Sequence, residues 1–255
     1  MSQLLDALRG NRERAHDPIP PVASPSGSLV ISSLGLPASP RRRIPSTWIV
    51  VACSLAGALA GGSLTWRPAR FDRAVALQEA GDFDHAVEIY DALLARDEMP
   101  AQAHNNLGLI RQQRDQLDEA AREFENALAH DPRYAKAHNN LGLLFLARNR
   151  PDEAAERFST AAALDGRDAG PLVNLALAHK AAGRLDQAGE ALHAALAVSP
   201  GSAPAHYNLA VLFDRSGERA RAAEHYRAFL EHRGSDHAWL TSDVRARLAA
   251  LDAAR

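Results

Sequence analysis

Apolar and polar positions recur along most of the chain with a period of 34 residues. The heptapeptide Ala-His-Asn-Asn-Leu-Gly-Leu stands at 103–109 and returns unchanged at 137–143, and related copies follow at 171–177 and 205–211. A fixed period of this length indicates a fold of stacked, repeated units. Apolar residues three or four positions apart indicate that the units are helical. We therefore expect an array of helices in which each unit packs on its neighbours.

A second helical pattern follows each heptapeptide. An Ala precedes an aromatic residue or Leu by four positions, and a further apolar residue follows three positions later, which places the three on one helical face. A Pro or Gly then ends the pattern, because neither is favoured inside a helix. The four series are Ala120, Phe124, Ala127 and Pro132; Ala154, Phe158, Ala161 and Gly166; Ala188, Leu192, Ala195 and Pro200; and Ala222, Tyr226, Phe229 and Gly234.

Small residues recur in both helices of a unit, which we call helix A and helix B. We expect them to let the two helices approach closely, with the Ala of helix B meeting the small residue of helix A. The aromatic residue would then fill the groove between them. The expected helix-packing residues are Gly108, Ala120, Gly142, Ala154, Ala176, Ala188, Ala210 and Ala222.

These motifs resemble the tetratricopeptide repeat (TPR). Units 101–134, 135–168, 169–202 and 203–236 fit the pattern, and a degenerate unit at 67–100 carries Gly81, Phe83, Ala86 and Tyr90 in matching positions. Arg70 and Arg73 stand where apolar residues are expected, which leaves the first helix of that unit open. The resemblance implies an all-α fold, a right-handed superhelical solenoid of about five helix pairs over 67–236.

A solenoid needs a cap on its last apolar face. Residues 237–255 predict a C-terminal capping helix, because one helical face collects the apolar side chains of this segment. These are Trp239, Leu240, Val244, Leu248 and Leu251.

The N-terminal part of the chain predicts a membrane anchor. Residues 1–16 form a short tail with an apolar side, and 17–45 form a Pro- and Ser-rich linker without a periodic apolar face. Residues 44–66 contain no charge, and as a helix they would measure about 34 Å, enough to cross a bilayer. Trp48 and Trp66 lie near the ends, as interfacial aromatic residues do. We predict a transmembrane helix at 46–66.

The distribution of charge favours one orientation of this helix. Arg41, Arg42 and Arg43 precede the span without an adjacent acid, whereas Asp72 interrupts the basic residues that follow it. Basic residues near a span tend to stay in the cytoplasm. We therefore expect a single-pass protein of the bacterial inner membrane, with a cytoplasmic N-terminus and periplasmic repeats.

Two other features of the span remain open. Ala-Gly-Ala at 56–58 and Ala-Leu-Ala at 58–60 resemble signal-peptidase sites, and Val-Val-Ala-Cys at 50–53 resembles a lipobox, so cleavage is an alternative. Gly57 and Gly61 form a small-xxx-small face that would suit a homodimer in the membrane.

Net charge argues against a nucleic-acid partner. Residues 1–66 contain six Arg, no Lys and three acidic residues, a net charge of +3, which leaves −5 for 67–255 in a total of −2. Nucleic-acid binders carry a basic face instead.

Catalytic and metal-binding motifs are missing from the sequence. It contains no H-E-x-x-H, Walker A, dinucleotide-binding or nucleophile-elbow motif, so we expect neither an enzyme nor a cofactor. His104, His138 and His206 share one repeat position, but neighbouring helix pairs stand about 10 Å apart, too far for one ion. We expect these histidines to be structural.

The resemblance to TPR proteins implies a concave groove, lined by helix A, that holds a peptide or helix of a protein partner. By register the groove would be lined by Gln102, Asn105, Leu109, Gln112, Lys136, Asn139, Leu143, Leu146, Val173, Leu177, Lys180, Tyr207, Val211 and Asp214. Asn106, Asn140, Asn174 and Asn208 occupy a further repeated position, where their amides would grip a ligand backbone or serve the fold. Few cations line this groove, so it should not select a free C-terminal carboxylate.

The first ten residues narrow the functional hypotheses. They resemble the Met-Ser-x-Leu-Leu-Asp-Ala-Leu start of inner-membrane accessory proteins of type II secretion and MSHA-type pilus biogenesis. This resemblance implies a membrane-anchored scaffold in the assembly of a secretion or pilus machine. An adaptor similar to cytochrome c maturation proteins with periplasmic repeats is the alternative. An accessory part of a cell-envelope enzyme is a third hypothesis that no residue supports.

Overall fold

The computed structural model describes residues 66–234 and 240–253, and these residues form eleven α-helices without a strand. The helices are α1 (Trp66–Glu79), α2 (Phe83–Leu94), α3 (Pro100–Gln113), α4 (Leu117–His130), α5 (Ala135–Ala147), α6 (Pro151–Leu164), α7 (Gly170–Ala181), α8 (Leu185–Val198), α9 (Ala203–Arg215), α10 (Arg219–His232) and α11 (Thr241–Ala253). Odd numbers up to α9 correspond to helix A and even numbers to helix B. The all-α class predicted from the repeats is confirmed.

The predicted tail, linker and transmembrane helix lie outside the described residues, except for Trp66, which begins α1. Within the described ranges, no helix has both the length and the apolar character that a membrane crossing requires. The small-residue face at Gly57 and Gly61 and the candidate cleavage sites also fall in the part of the chain that is not described, so these remain predictions.

The described helices fall into two compact units, and the boundary between the units lies inside α4. The first unit ends at Glu123, and the second begins at Phe124. In the first unit, α1 packs on α2 and α2 packs on α3. In the second, each helix from α5 to α11 packs on the next in chain order. Each unit therefore builds its core from neighbours in sequence, as stacked helix pairs do.

The turn from helix A to helix B has the same backbone form in all five described pairs. Its central residue has a positive φ, and this residue recurs every 34 positions as Gly81, Asp115, Asn149, Gly183 and Gly217. In the α7–α8 turn, the Gly183 N–H donates to the Lys180 carbonyl at 3.0 Å, and the Arg184 N–H donates to the His179 carbonyl at 2.8 Å. This pattern is the Schellman ending of a helix, which favours glycine because the left-handed region penalises a Cβ.

The B helices end near the Pro or Gly residues that the sequence predicts as helix terminators. Helices α4, α6, α8 and α10 each stop two residues before the Pro or Gly that closes the repeat. Proline lacks the N–H that would continue the helix, and glycine weakens it. Proline also stands in the first turn of α3, α6, α7 and α9, where its missing N–H costs nothing.

Small residues and large apolar residues alternate in the core as the sequence predicts. All eight predicted helix-packing residues are buried, and so are the large residues of helix B, Tyr90, Phe124, Phe158, Leu192 and Tyr226. One detail differs from the prediction. The atoms nearest to a Cβ built on Gly142 are those of the Phe158 ring rather than those of Ala154. In this pair the aromatic side chain, not the Ala, determines how closely helix A can approach.

The degenerate first unit does form its helix A. In α1, Ala74 is fully buried, and the partly buried Phe71 packs edge-on against Tyr90 with ring centroids 5.8 Å apart. Arg73 is exposed. The two arginines that left this helix open in the sequence therefore do not interrupt the packed face, because Phe71, Ala74 and Leu77 supply it at spacings of three.

Helix α11 covers the last helix pair, as a cap should. Leu240, Val244 and Leu251 are buried, and Leu248 packs against the same core. Two ion pairs at its edge join Arg247 to Asp214 of α9 and Asp252 to Arg227 of α10. Trp239, which was predicted to share this face, lies outside the described residues.

Candidate protein-binding surface

The predicted groove positions differ widely in how much surface they offer. In the first unit Asn105 is only 2% exposed, while Leu109 and Gln112 are half-buried. In the second unit Lys136 is exposed, and half-buried side chains are found at Leu143, Leu146 and Lys180. Gln102 and Asp214 are also half-buried. The remaining predicted positions are buried, namely Asn139, Val173, Leu177, Tyr207 and Val211. A ligand on helix A would therefore contact mainly the exposed and half-buried subset.

Tyr207 shows why burial exceeds the sequence-based expectation. Its ring packs against Tyr226 at 6.3 Å and Phe229 at 5.4 Å between centroids, and both belong to α10. The side chain is 5% exposed. Tyr207 was predicted to line the groove, but the structure places it between the two helices of its own pair, where a large apolar ring is better buried than hydrated.

The repeated asparagines bond within the protein. Asn106 Nδ2 donates to the Tyr90 hydroxyl at 2.9 Å, and Asn174 Nδ2 donates to Asn139 Oδ1 at 2.9 Å. Asn208 Nδ2 donates to the Pro204 carbonyl at 2.9 Å. The sequence left two roles open for these asparagines, binding of a ligand backbone and stabilisation of the fold. These contacts support the second role. The Asn139–Asn174 bond also joins the helix A of one repeat to that of the next.

A narrow cleft lies between α7 and α9. It is too narrow to admit a water molecule, and it is lined by Leu177, Lys180, Asn208 and Leu212 together with Ala176, Ala188 and Leu192. Asn208 is 4% exposed, and its Oδ1 has no hydrogen-bond partner among the described residues. A buried acceptor left unpaired costs about 1–3 kcal/mol. This oxygen is buried away from the surface, so the penalty belongs to the fold and does not mark a ligand site.

A second cavity, of about 360 Å³, lies in the first helix pair and was not predicted. Arg73 and Leu77 of α1 line it together with Asp82, His85, Glu88 and Ile89. The Asp82 carboxylate and the His85 ring are 2.8 Å apart, and their hydrogen bond raises the pKa of His85 and lowers the pKa of Asp82. The sequence signal for this pair was the spacing of three after the Gly81 turn, which places both side chains on one helical face.

The repeated histidines bond to protein groups. His104 Nδ1 lies 2.8 Å from Glu123 Oε2, His138 Nε2 lies 3.0 Å from the Pro132 carbonyl, and His206 Nε2 lies 2.9 Å from the Pro200 carbonyl. Across residues 66–234 and 240–253, no three His, Cys, Asp or Glu side chains converge on a point where they would hold a metal ion. The structural role expected for these histidines is consistent with their contacts.

The fold defines the class of protein. It consists of repeated helix pairs, with a common turn from helix A to helix B and small residues at each helix crossing. Sequence profiles described as "Tetratricopeptide repeat" match residues 71–121, 110–169 and 179–248, which together make up more than half of the chain. The chain belongs to the tetratricopeptide-repeat family. No curated protein matches the sequence.

Solved structures agree on the fold. PilF of Pseudomonas aeruginosa is 23% identical with a TM-score of 0.63, and the match covers 72% of this chain and 88% of that chain. PilW, described as a widely conserved type IV pilus biogenesis factor, is 21% identical with a TM-score of 0.59 and coverages of 74% and 94%. MamA is 22% identical with a TM-score of 0.55 and coverages of 64% and 95%. At these identities the likeness establishes the fold.

Proposed function

We propose that this protein is a membrane-anchored adaptor that binds a protein partner on the helix A side of its repeats. The observation that carries the proposal is the accessible surface that helix A keeps at Leu143 and Leu146 of α5 and at Lys180 of α7. An extended peptide or an amphipathic helix can bury apolar side chains on such a surface. The role is that of a scaffold and is not catalytic.

The partner that we propose belongs to a secretion or pilus assembly machine. PilF and PilW share the fold, and PilW is described as a type IV pilus biogenesis factor. The first ten residues resemble accessory proteins of type II secretion and MSHA-type pilus biogenesis. The adaptor of cytochrome c maturation is the second candidate, supported only by the combination of a predicted span with repeats.

The anchor in this proposal is the uncharged segment 46–66, with the N-terminus in the cytoplasm and the repeats in the periplasm. The support is the triplet Arg41, Arg42 and Arg43 before the segment and the absence of charge within it. Alkaline phosphatase fused after Arg255 should be active in a bacterial host, and a cytoplasmic reporter at the same place should be inactive. The reverse pattern would refute this topology.

Site-specific photocrosslinking in the full-length chain tests the binding surface. Crosslinkers at positions 143, 146 and 180 lie on helix A and retain accessible surface, whereas the matched control at 190 is exposed on helix B. We expect one and the same protein to be captured from the three helix A positions and not from 190. Capture from 190 alone would refute the proposal.

A further inference from the structure

The last helix pair contains a contact between two histidines that the other described helix pairs of this chain lack. His206 of α9 and His225 of α10 face each other with their Nδ1 atoms 3.0 Å apart and their ring centroids 5.2 Å apart. Because the centroid separation is only about two ring radii longer than the Nδ1–Nδ1 distance, the rings point at each other almost head-on. This is the arrangement of an N–H···N hydrogen bond.

The partner of His206 on its other side determines where the protons lie. His206 Nε2 lies 2.9 Å from the Pro200 carbonyl, which can only accept, so Nε2 carries a hydrogen. In the neutral ring His206 Nδ1 is then the acceptor, and His225 Nδ1 must donate. We assign these tautomers from the hydrogen-bond partners. The contact therefore needs one hydrogen between the two Nδ1 atoms.

Protonation changes this contact in two steps. After one proton is added, the hydrogen bond between the two Nδ1 atoms can persist. His206 is then an imidazolium that donates from Nδ1, and His225 accepts at Nδ1 because its own hydrogen can lie on Nε2. A second added proton puts an N–H on both Nδ1 atoms, 3.0 Å apart, with a positive charge on each ring. Neither ring then offers an acceptor, and like charges at this distance repel.

The surroundings of His225 add to the cost of its charge. Its ring stacks on Phe213 at 5.4 Å between centroids, and the Arg221 guanidinium lies 3.8 Å from the centre of the same Phe213 ring. His193 of α8 packs near Phe213, and His232 of α10 stacks on His206 at 6.0 Å. Glu224 is the acidic group among these neighbours. Burial first, and the charge of His206 second, lower the pKa of His225.

The same two repeat positions hold a different pair in an earlier repeat. Three steps of 34 residues separate His206 from His104, and the same shift separates His225 from Glu123. His104 Nδ1 and Glu123 Oε2 are 2.8 Å apart. A carboxylate accepts from an imidazolium, so acid does not break this pair until the carboxylate itself is protonated. The intervening repeats hold His138 with Arg157, and Leu172 with Ala191.

We propose that His206 and His225 form an acid-sensitive latch between α9 and α10, which holds the last helix pair closed near neutral pH and releases it when both rings are protonated. The unfolded chain takes up protons at the ordinary histidine pKa of 6.5, above the lowered value of His225 in the fold. Stability of the pair is therefore complete above pH 6.5 and falls as the pH drops towards that lowered pKa.

Hydrogen exchange of the full-length chain at pH 7.5 and pH 5.0 tests the latch. After correction for intrinsic exchange rates, amides of α9 and α10 should lose protection several-fold at pH 5.0, while those of α5 and α6 in the same molecules should not. The replacement His225→Glu copies the His104–Glu123 pair and should abolish the loss. Should that variant fail to fold, His206→Gln, which leaves a single titrating ring, should abolish it as well.

The reciprocal change Glu123→His should make α3 acid-sensitive. The proposal is overturned if α9 and α10 keep full protection at pH 5.0, if all helices lose protection equally, or if His225→Glu and His206→Gln respond to acid as the wild type does. His179, whose pKa is also lowered by burial, is unchanged in these variants and cancels in the comparison.

Discussion

The Phe158 ring occupies the space in which any side chain on residue 142 would begin. A Cβ built on Gly142 would lie 2.6 Å from Phe158 Cε1 and 2.8 Å from Cδ1, well inside van der Waals contact. The ring is completely buried. The crossing of α5 and α6 therefore requires glycine at 142 because there is no room for a side chain, and not because the backbone needs flexibility.

Replacement of Gly142 by Ala should destabilise the protein by about 1–3 kcal/mol, and replacement by Leu by more, because the ring must shift in a packed core. Chemical denaturation followed by circular dichroism measures this. Gly189→Ala is the matched control, since Gly189 also lies within a helix but has nothing within 4 Å of a Cβ. The control should gain about 0.5–1 kcal/mol from helix propensity. Equal effects of the two substitutions would contradict the packing argument.

Gly183→Ala should cost about 1–2 kcal/mol for a different reason. A Cβ at this position meets no atom within 4 Å, but its φ of 78° lies in the left-handed region. Gly183→Asn should cost less, because Asn tolerates this region, as Asn149 does in the equivalent turn. Gly166→Ala, at a loop glycine without a positive φ, provides the control and should change the melting temperature little. A loss at 166 as large as at 183 would argue against a conformational cause.

Leu251→Ala should destabilise the C-terminal cap by about 2–4 kcal/mol, because Leu251 is 4% exposed and its truncation leaves a cavity against the core of the last pair. Leu185→Ala is the control, as Leu185 is 46% exposed and loses little contact. Thermal unfolding distinguishes the two variants. If both unfold at the wild-type temperature, α11 is not part of the folded core.

Asp82→Asn should lower the titration midpoint of His85, which NMR of the ring protons can follow. The Asp82 hydrogen bond raises the pKa of His85 above 6.5, and the His85 ring lowers the pKa of Asp82 below 3.8. The charged histidine contributes fully below pH 6.5 and loses its contribution as pH rises through the raised pKa. The carboxylate contributes above pH 3.8 and loses its contribution as pH falls through the lowered pKa. Asp91→Asn should leave the midpoint unchanged, and a midpoint insensitive to Asp82→Asn would refute the pairing.

Periodicity made the helices and the core predictable from sequence. Ala120, Ala154, Ala188 and Ala222 stand 34 residues apart, and a small residue repeated beside a large one has few explanations other than a helix crossing. The turn residues Asp115 and Asn149 follow the same step but were not recognised. Their common property is a backbone angle rather than a side-chain type, and comparison with Gly81, Gly183 and Gly217 would have revealed it.

Side-chain direction was the part that sequence could not supply. Tyr207 and Asn139 share one repeat position, yet Tyr207 packs against α10 while Asn139 bonds to the next helix A. Repeat register places a Cα on a helix, but the size and polarity of its neighbours decide where the side chain turns. The His206–His225 contact was missed because position 225 holds a different residue in each repeat.

The uniform A-to-B turn has a consequence for how such a chain can change in length. An extra residue in this turn would break the two hydrogen bonds that end helix A and would rotate helix B by about 100° about its axis, which turns its apolar face away from its neighbours. Insertions of a whole 34-residue unit leave every turn intact and create only interfaces of a kind that already exist. Growth and loss by complete units is therefore the tolerated route, and single-residue insertions belong in the segments between helix pairs.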